Sequence, residues 1–132
     1  METKKNIVVI GAGYGGITAA LRLARLFHKH HEYQIHLIDR NPYHTLKTQL
    51  HEAAIRKTEV AIPIDRIIQR RNIIFHLGEV TRIDPAKQSI YMGSKSLSFY
   101  YLAIALGSQI NFYNIPGLRE NSFPLQTLRD AQ

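Results

Sequence analysis

The sequence predicts an α/β fold, a parallel sheet with helices and an antiparallel meander of short strands. Three observations carry that prediction. A β-branched run, Asn6–Ile10, ends directly in glycines and gives way to an amphipathic stretch. A second apolar run, Gln34–Asp39, ends in an acid. Beyond residue 78, short β-like pieces alternate with turn-forming residues.

Asn6–Ile10 is too short and too β-branched for a helix, so it reads as a buried strand. From Tyr14 to about His28 the period becomes helical, with Ile17, Ala20, Leu21, Ala24 and Phe27 on one stripe and Arg22, Arg25 and Lys29 off it. Gln34–Asp39 is the second strand, through Ile35, Leu37 and Ile38. A loop with Pro42 follows. Leu46–Ile55 and Ile64–Arg70 are expected helices, the latter opened by Pro63, and Asn72–Leu77 is a third strand. Glu79–Asp84, Gln88–Met92 and Leu97–Phe99, separated by Asp84-Pro85 and Gly93-Ser94, form the expected meander. Leu102–Leu106 is a last buried strand, stopping at Gly107. From Ser108 onward Asn111, Asn114, Pro116-Gly117 and Pro124 indicate loop or linker.

The chain has 132 residues, 45% hydrophobic and 20% charged, which is the balance of a globular domain. It has no cysteine, which excludes disulfide scaffolds, thiolate metal sites and cysteine nucleophiles within it. The net charge of +7 points to an anionic partner. Nine of the 17 Lys and Arg lie in residues 1–60 and eight in 61–132, so there is no basic tail. Arg66, Arg70 and Arg71 read as a solvated face, and no nucleic-acid partner is expected. No apolar stretch reaches the roughly 18 residues of a spanning helix. The histidines His28, His30 and His31 have only Glu32 nearby, and His44 and His51 are seven apart without further ligands, so no metal site is expected. Packing is the expected role of His44.

The chemistry concentrates in Gly11-Ala12-Gly13-Tyr14-Gly15-Gly16, which follows the first strand and opens the first helix. Gly11, Gly13 and Gly16 give the spacing G-x-G-x-x-G. Gly11 allows a tight turn, Gly13 lets a pyrophosphate approach the backbone, and Gly16 lets the helix pack against the sheet. The helix start then offers free N–H groups and partial positive charge to phosphate. Asp39 ends the second strand, where an acid accepts hydrogen bonds from a ribose diol, with Arg40 beside it. The pattern indicates a dinucleotide and leaves FAD and NAD both open.

Lys5–Gly16 with Asp39, Asn41-Pro42-Tyr43-His44, Leu50-His51-Glu52-Ala53, Leu102–Ser108 and Ile115-Pro116-Gly117 together resemble the N-terminal part of type II NADH dehydrogenases. These are flavin-dependent NADH:quinone oxidoreductases of the pyridine nucleotide-disulfide oxidoreductase superfamily. The resemblance implies a Rossmann-like FAD-binding domain, incomplete in this chain. It places FAD at Gly11, Ala12, Gly13, Tyr14, Gly15 and Gly16. It sets Asp39 and Arg40 at the adenosine ribose, and the backbone of Val80 at the adenine. It brings Thr48 close to the flavin and makes Ala105-Leu106-Gly107 the second flavin motif. Phe99-Tyr100-Tyr101 stands where the family usually has an Asp before Tyr-Leu.

The resemblance further implies that residues 1–110 are the N-terminal part of the FAD domain and that 111–132 lead toward an NAD-binding domain outside this chain. NADH and a quinone would be substrates of the full-length enzyme, and the fragment alone is expected to be inactive. No catalytic residue is assigned. The expected location is cytoplasmic, with peripheral contact to the inner face of the membrane through a region beyond this chain. The alternatives are a non-catalytic nucleotide-binding fragment and another cysteine-free reductase, such as a ferredoxin-reductase-like protein.

Overall fold

A computed structural model describes residues 4–132. The chain forms two compact units. One comprises the described residues up to His44 and residues 63–107; the other comprises 45–62 and 108–132.

The first unit is built on four parallel strands: β1 (Lys5–Ile10), β2 (Tyr33–Asp39), β5 (Ile73–Leu77) and β9 (Tyr101–Ile104), in the order β5-β2-β1-β9. Register pairs Ile7 with Ile35 and with Tyr101, and Leu37 with Phe75. Helix α1 (Tyr14–Leu26) connects β1 to β2, and α3 (Ile64–Ile68) precedes β5. The strand alternation divides the core into two faces. Ile7, Val9, Ile35 and Leu37 pack with Ile17, Ala20 and Ala24 of α1 and with Ile64 and Ile68 of α3. Val8, Ile10 and Ile38 pack with Ile90, Val80, Ile83 and Leu97 around the meander. That meander is β6 (Arg82–Asp84), β7 (Ser89–Met92) and β8 (Lys95–Ser98), antiparallel throughout.

The helix face is lined by apolar side chains, whereas the meander face also carries a polar chain. Asn6 donates through Nδ2 to the Ser98 carbonyl at 3.0 Å, so its Oδ1 accepts from His36 Nε2–H at 3.1 Å. His36 Nδ1 is then the acceptor for His76 Nε2–H at 2.8 Å. Burial, reinforced by the neighbouring His76, pushes the His36 pKa down to about 4. Burial and then Lys95 lower that of His76.

A two-stranded ribbon, β3 (Tyr43–Thr45) with β4 (Ala61–Pro63), lies where the chain passes between units. The second unit contains α2 (Leu50–Ile55), preceded by a single 3₁₀ turn at Lys47–Gln49, and a second such turn at Arg129–Ala131. Leu50, Val60 and Ala131 form its core, flanked by Leu46, Ala53 and Leu128.

Several elements differ from the sequence expectation. Helix α1 stops at Leu26 and α3 at Ile68, and Arg70 beyond it takes a left-handed φ of 60°. The expected Leu46–Ile55 helix is a 3₁₀ turn followed by a short α2. The β3–β4 ribbon was not anticipated. The last strand was expected to be buried, but among the described residues β9 is an edge strand paired with β1 alone, and Tyr101, Ile104 and Leu106 are exposed. The Ser108–Gln132 segment is largely irregular, yet its terminal turn buries Ala131.

Candidate functional site

The site lies at the carboxyl ends of the parallel strands, where ligands bind in open α/β sheets. Backbone hydrogen bonds tie these ends together. Gly11 N–H donates to the Ile38 carbonyl at 2.8 Å, Ala105 N–H to Ile10 at 2.8 Å, and Gly78 N–H to Asp39 at 2.9 Å.

The glycine turn has a closed side and an open side. Gly11 has φ +99°, which favours glycine, and a Cβ there would run into the Ala105 carbonyl. A Cβ on Gly16 would overlap the Gly11 carbonyl oxygen. Both residues are buried. Gly13 and Gly15 are exposed, and a Cβ on either would meet nothing within 4 Å. The first two glycines are therefore required by the protein's own packing. The other two border open space, which is the room a bound pyrophosphate needs.

Gly13 is the N-cap of α1, with no side-chain cap, and no acid stands in the first turn. The first intrahelical bond runs from Ile17 N–H to the Gly13 carbonyl at 2.9 Å. The amides of Gly15 and Gly16 precede it, so the helix supplies no acceptor for them. A phosphate fits this donor set by both hydrogen bonding and the sign of the helix dipole.

Two side chains grip the turn from β2 and β3. Asp39 Oδ2 accepts Ala12 N–H at 2.7 Å, and Oδ1 accepts Asn41 N–H at 2.8 Å. A carboxylate offers about four lone-pair sites, so it retains capacity for hydroxyl donors. His44, 5% exposed, bonds through Nδ1 to the Ala12 carbonyl at 2.8 Å. A carbonyl only accepts, so Nδ1 carries the proton. The Tyr14 ring meets His44 edge-on at 4.8 Å.

The structure brings together most of the residues singled out by sequence. Gly11 to Gly16, Asp39 and Ala105 share the strand ends. Arg40 is exposed beside Asp39. Val80 packs its side chain against the Val8, Ile10, Ile38 and Ile90 cluster, and the meander ladder begins after it, with Thr81 N–H on the Tyr91 carbonyl at 2.9 Å. Leu106 is exposed, and Gly107 takes φ +75°. Thr48 belongs to the second unit, in the 3₁₀ turn.

Sequence reasoning assigned His44 only packing and missed its bond to Ala12, 32 residues away, for which no local pattern exists. It likewise missed the grip of Asp39 on Ala12. His44 and His51 do not share a helix: the first is in β3 and the second in α2. His30 pairs instead with Glu32 at 3.2 Å, and Arg66, Arg70 and Arg71 are exposed. Among the described residues no group of three or more His, Cys, Asp or Glu is disposed to hold a metal ion. No helix among them is long and apolar enough to cross a membrane.

Parallel strands, a glycine turn opening a helix and a strand-end acid are the arrangement of a Rossmann-like α/β domain. The family model of pyridine nucleotide-disulphide oxidoreductases matches residues 5–132, and the chain belongs to that family. Among curated relatives, it is 32% identical over 98% of its length to demethylphylloquinone reductase NdbB of Synechocystis, of which it covers 34%. It is 28% identical over 99% of its length to the type II NADH:quinone oxidoreductase of Staphylococcus aureus, of which it covers 33%. The chain thus spans about a third of the length of these relatives. The sulfide:quinone oxidoreductase of Aquifex aeolicus superposes with a TM-score of 0.81 at 31% identity, over 96% of this chain and 30% of that one. NDH2 of Plasmodium falciparum, solved with NADH, shares the fold with a TM-score of 0.82 at 22% identity, over 97% of this chain and 27% of that one.

Proposed function

We propose that this chain is the FAD-binding part of a flavin-dependent NADH:quinone oxidoreductase. The observation that supports it most is the open side of the glycine turn. Gly13 and Gly15 face empty space at a helix start with no capping side chain, directly beside the Asp39 carboxylate. In this reading the backbone from Gly11 through Ala12, Gly13, Tyr14 and Gly15 to Gly16 holds the pyrophosphate. Asp39 and Arg40 meet the adenosine ribose, Val80 offers its backbone to the adenine, and Ala105-Leu106-Gly107 serves the flavin end.

FAD supplies hydride acceptance from NADH and electron delivery to quinone. The residues of this chain bind and orient it. The helix start neutralises phosphate charge, and Asp39 disfavours a phosphate on the ribose by like-charge repulsion. Relatives named as quinone reductases support the quinone as final acceptor. A thiol step finds no residue here, since the chain has no cysteine. Residues 1–110 supply the cofactor site, and 111–132 lead toward an NAD-binding domain. In this reading the whole protein is cytoplasmic, with peripheral contact to the inner face of the membrane.

The test is parallel titration of the chain with FAD and NAD, followed by flavin absorbance and fluorescence and by calorimetry. FAD uptake in preference to NAD is the expected result. Tight NAD binding with no flavin uptake would overturn the assignment.

A further inference from the structure

Ala12 is the residue around which the glycine turn pivots, and it is 3% exposed. Its two backbone groups are both held by side chains distant in sequence. Its N–H goes to Asp39, and its C=O receives Nδ1–H of His44. Losing either partner leaves a buried backbone group without a bond.

The peptide between Ala12 and Gly13 is planar, so its C=O and N–H point in opposite directions. Whatever fixes the Ala12 carbonyl also fixes the Gly13 amide. His44 draws that carbonyl inward, to a ring that is itself buried and steadied by Tyr14 at 4.8 Å. The Gly13 amide is thereby turned away from His44, at the residue whose side-chain position is open.

We propose that His44 is a positioning residue of the cradle, holding the Ala12–Gly13 peptide in the orientation that presents the Gly13 amide to a dinucleotide pyrophosphate. This rests on the dinucleotide reading of the turn. A glycine-rich segment explores many backbone conformations when unrestrained, and ordering it only on binding weakens affinity. Asp39 and His44 impose that order before any ligand arrives. His44 acts through Ala12 and is not placed in contact with the ligand.

The experiment uses the chain with His44→Asn, His44→Gln and His44→Phe, and takes FAD and ADP as probes. The Asn amide nitrogen sits where histidine carries Nδ1, the Gln amide nitrogen reaches the place of Nε2, and Phe keeps the ring without a donor. His44→Asn is expected to bind both probes within about threefold of wild type. His44→Gln and His44→Phe are expected to bind roughly tenfold more weakly, the equivalent of one hydrogen bond. Amide hydrogen exchange of the ligand-free proteins supplies a second reading: Ala12 protection falls in the Gln and Phe variants and is kept in Asn. Wild-type affinity and Ala12 protection in His44→Gln would overturn the positioning role, as would an Asn variant as weak as Phe. Wild-type protein that takes up neither FAD nor ADP would overturn the dinucleotide reading itself, and the role with it.

Discussion

The two ends of the parallel sheet are made from the same strands and behave differently. At the amino ends the chain closes over itself. Lys5 N–H bonds the Glu32 carbonyl at 2.7 Å, and Tyr100 N–H bonds Asn6 at 2.8 Å. Lys5 Nζ lies 5.7 Å from the Tyr33 ring centroid and 5.0 Å from that of Tyr100. At the carboxyl end of β1 the chain carries few side chains. Glycines stand at 11, 13, 15 and 16, and Asp39 and His44 hold the backbone of Ala12 between them. In open parallel sheets ligands bind outside the carboxyl ends of the strands, and here it is the carboxyl end of β1 that carries the glycine turn and the helix start.

The sharpest way to break the carboxyl-end arrangement is Gly16→Ala. The new Cβ overlaps the Gly11 carbonyl oxygen, a backbone atom that cannot rotate away. Loss of about 3 kcal/mol or more is expected in denaturant unfolding, together with loss of ligand binding. An unchanged midpoint would show that α1 is not held against β1 by Gly16.

Midway between the ends, His36 is expected to make the sheet acid-sensitive. Its folded pKa is depressed from 6.5 to about 4 by burial and by His76. The unfolded chain therefore takes up a proton that the folded chain refuses. The stability from neutral His36 is complete above about pH 6.5 and declines as pH falls toward 4. The expected loss over that window is about 3 kcal/mol, since one pKa unit is ~1.4 kcal/mol. His76 is shifted in the same direction. Unfolding midpoints at pH 7.5 and 4.5 measure it, and His36→Met should flatten the dependence. A pH slope unaltered by that substitution would assign the acid lability elsewhere.

Asp39→Ala removes the acceptor of two backbone amides, at Ala12 and Asn41, besides any ribose contact. Stability should fall by about 2 kcal/mol and FAD affinity by roughly one to two powers of ten. Stability without change would mean the Asp39 bonds contribute nothing to the turn. The smallest effect is expected at the opposite end. Lys5→Ala should cost less than about 1 kcal/mol, since Lys5 and the Tyr100 ring are exposed and Tyr33 is only half-buried, and leave ligand binding unaltered. A large binding loss in Lys5→Ala would contradict the separation of the two ends.

Much of this layout is legible in the sequence for a physical reason. Val8 and Ile10 turn to one face of the sheet and Ile7 and Val9 to the other, so a continuous apolar run marks a strand covered on both sides. Gly11 and Gly16 are legible because their roles are local and steric. The three-residue strands β3 and β4 are not, since three residues carry no period. The exposure of β9 is not legible either: Tyr101–Ile104 carries no charge or proline of the kind that marks an edge strand. The hydrogen bonds of Ala12 to Asp39 and His44 span 27 and 32 residues, beyond any local spacing rule. Ala131 is buried by Leu50 and Val60, contacts that a loop-like sequence does not announce.

The central claim is that the open side of the glycine turn is shaped for a dinucleotide pyrophosphate, and Gly13→Val tests it most directly. A Cβ at Gly13 meets no protein atom within 4 Å, so the variant should fold, with a melting temperature within a few degrees of wild type. The branched side chain would occupy the space assigned to the pyrophosphate. FAD titration is therefore expected to show binding by the wild-type chain and none by Gly13→Val at the same concentrations. Equal FAD affinity in the two folded proteins would contradict the claim and place any ligand elsewhere.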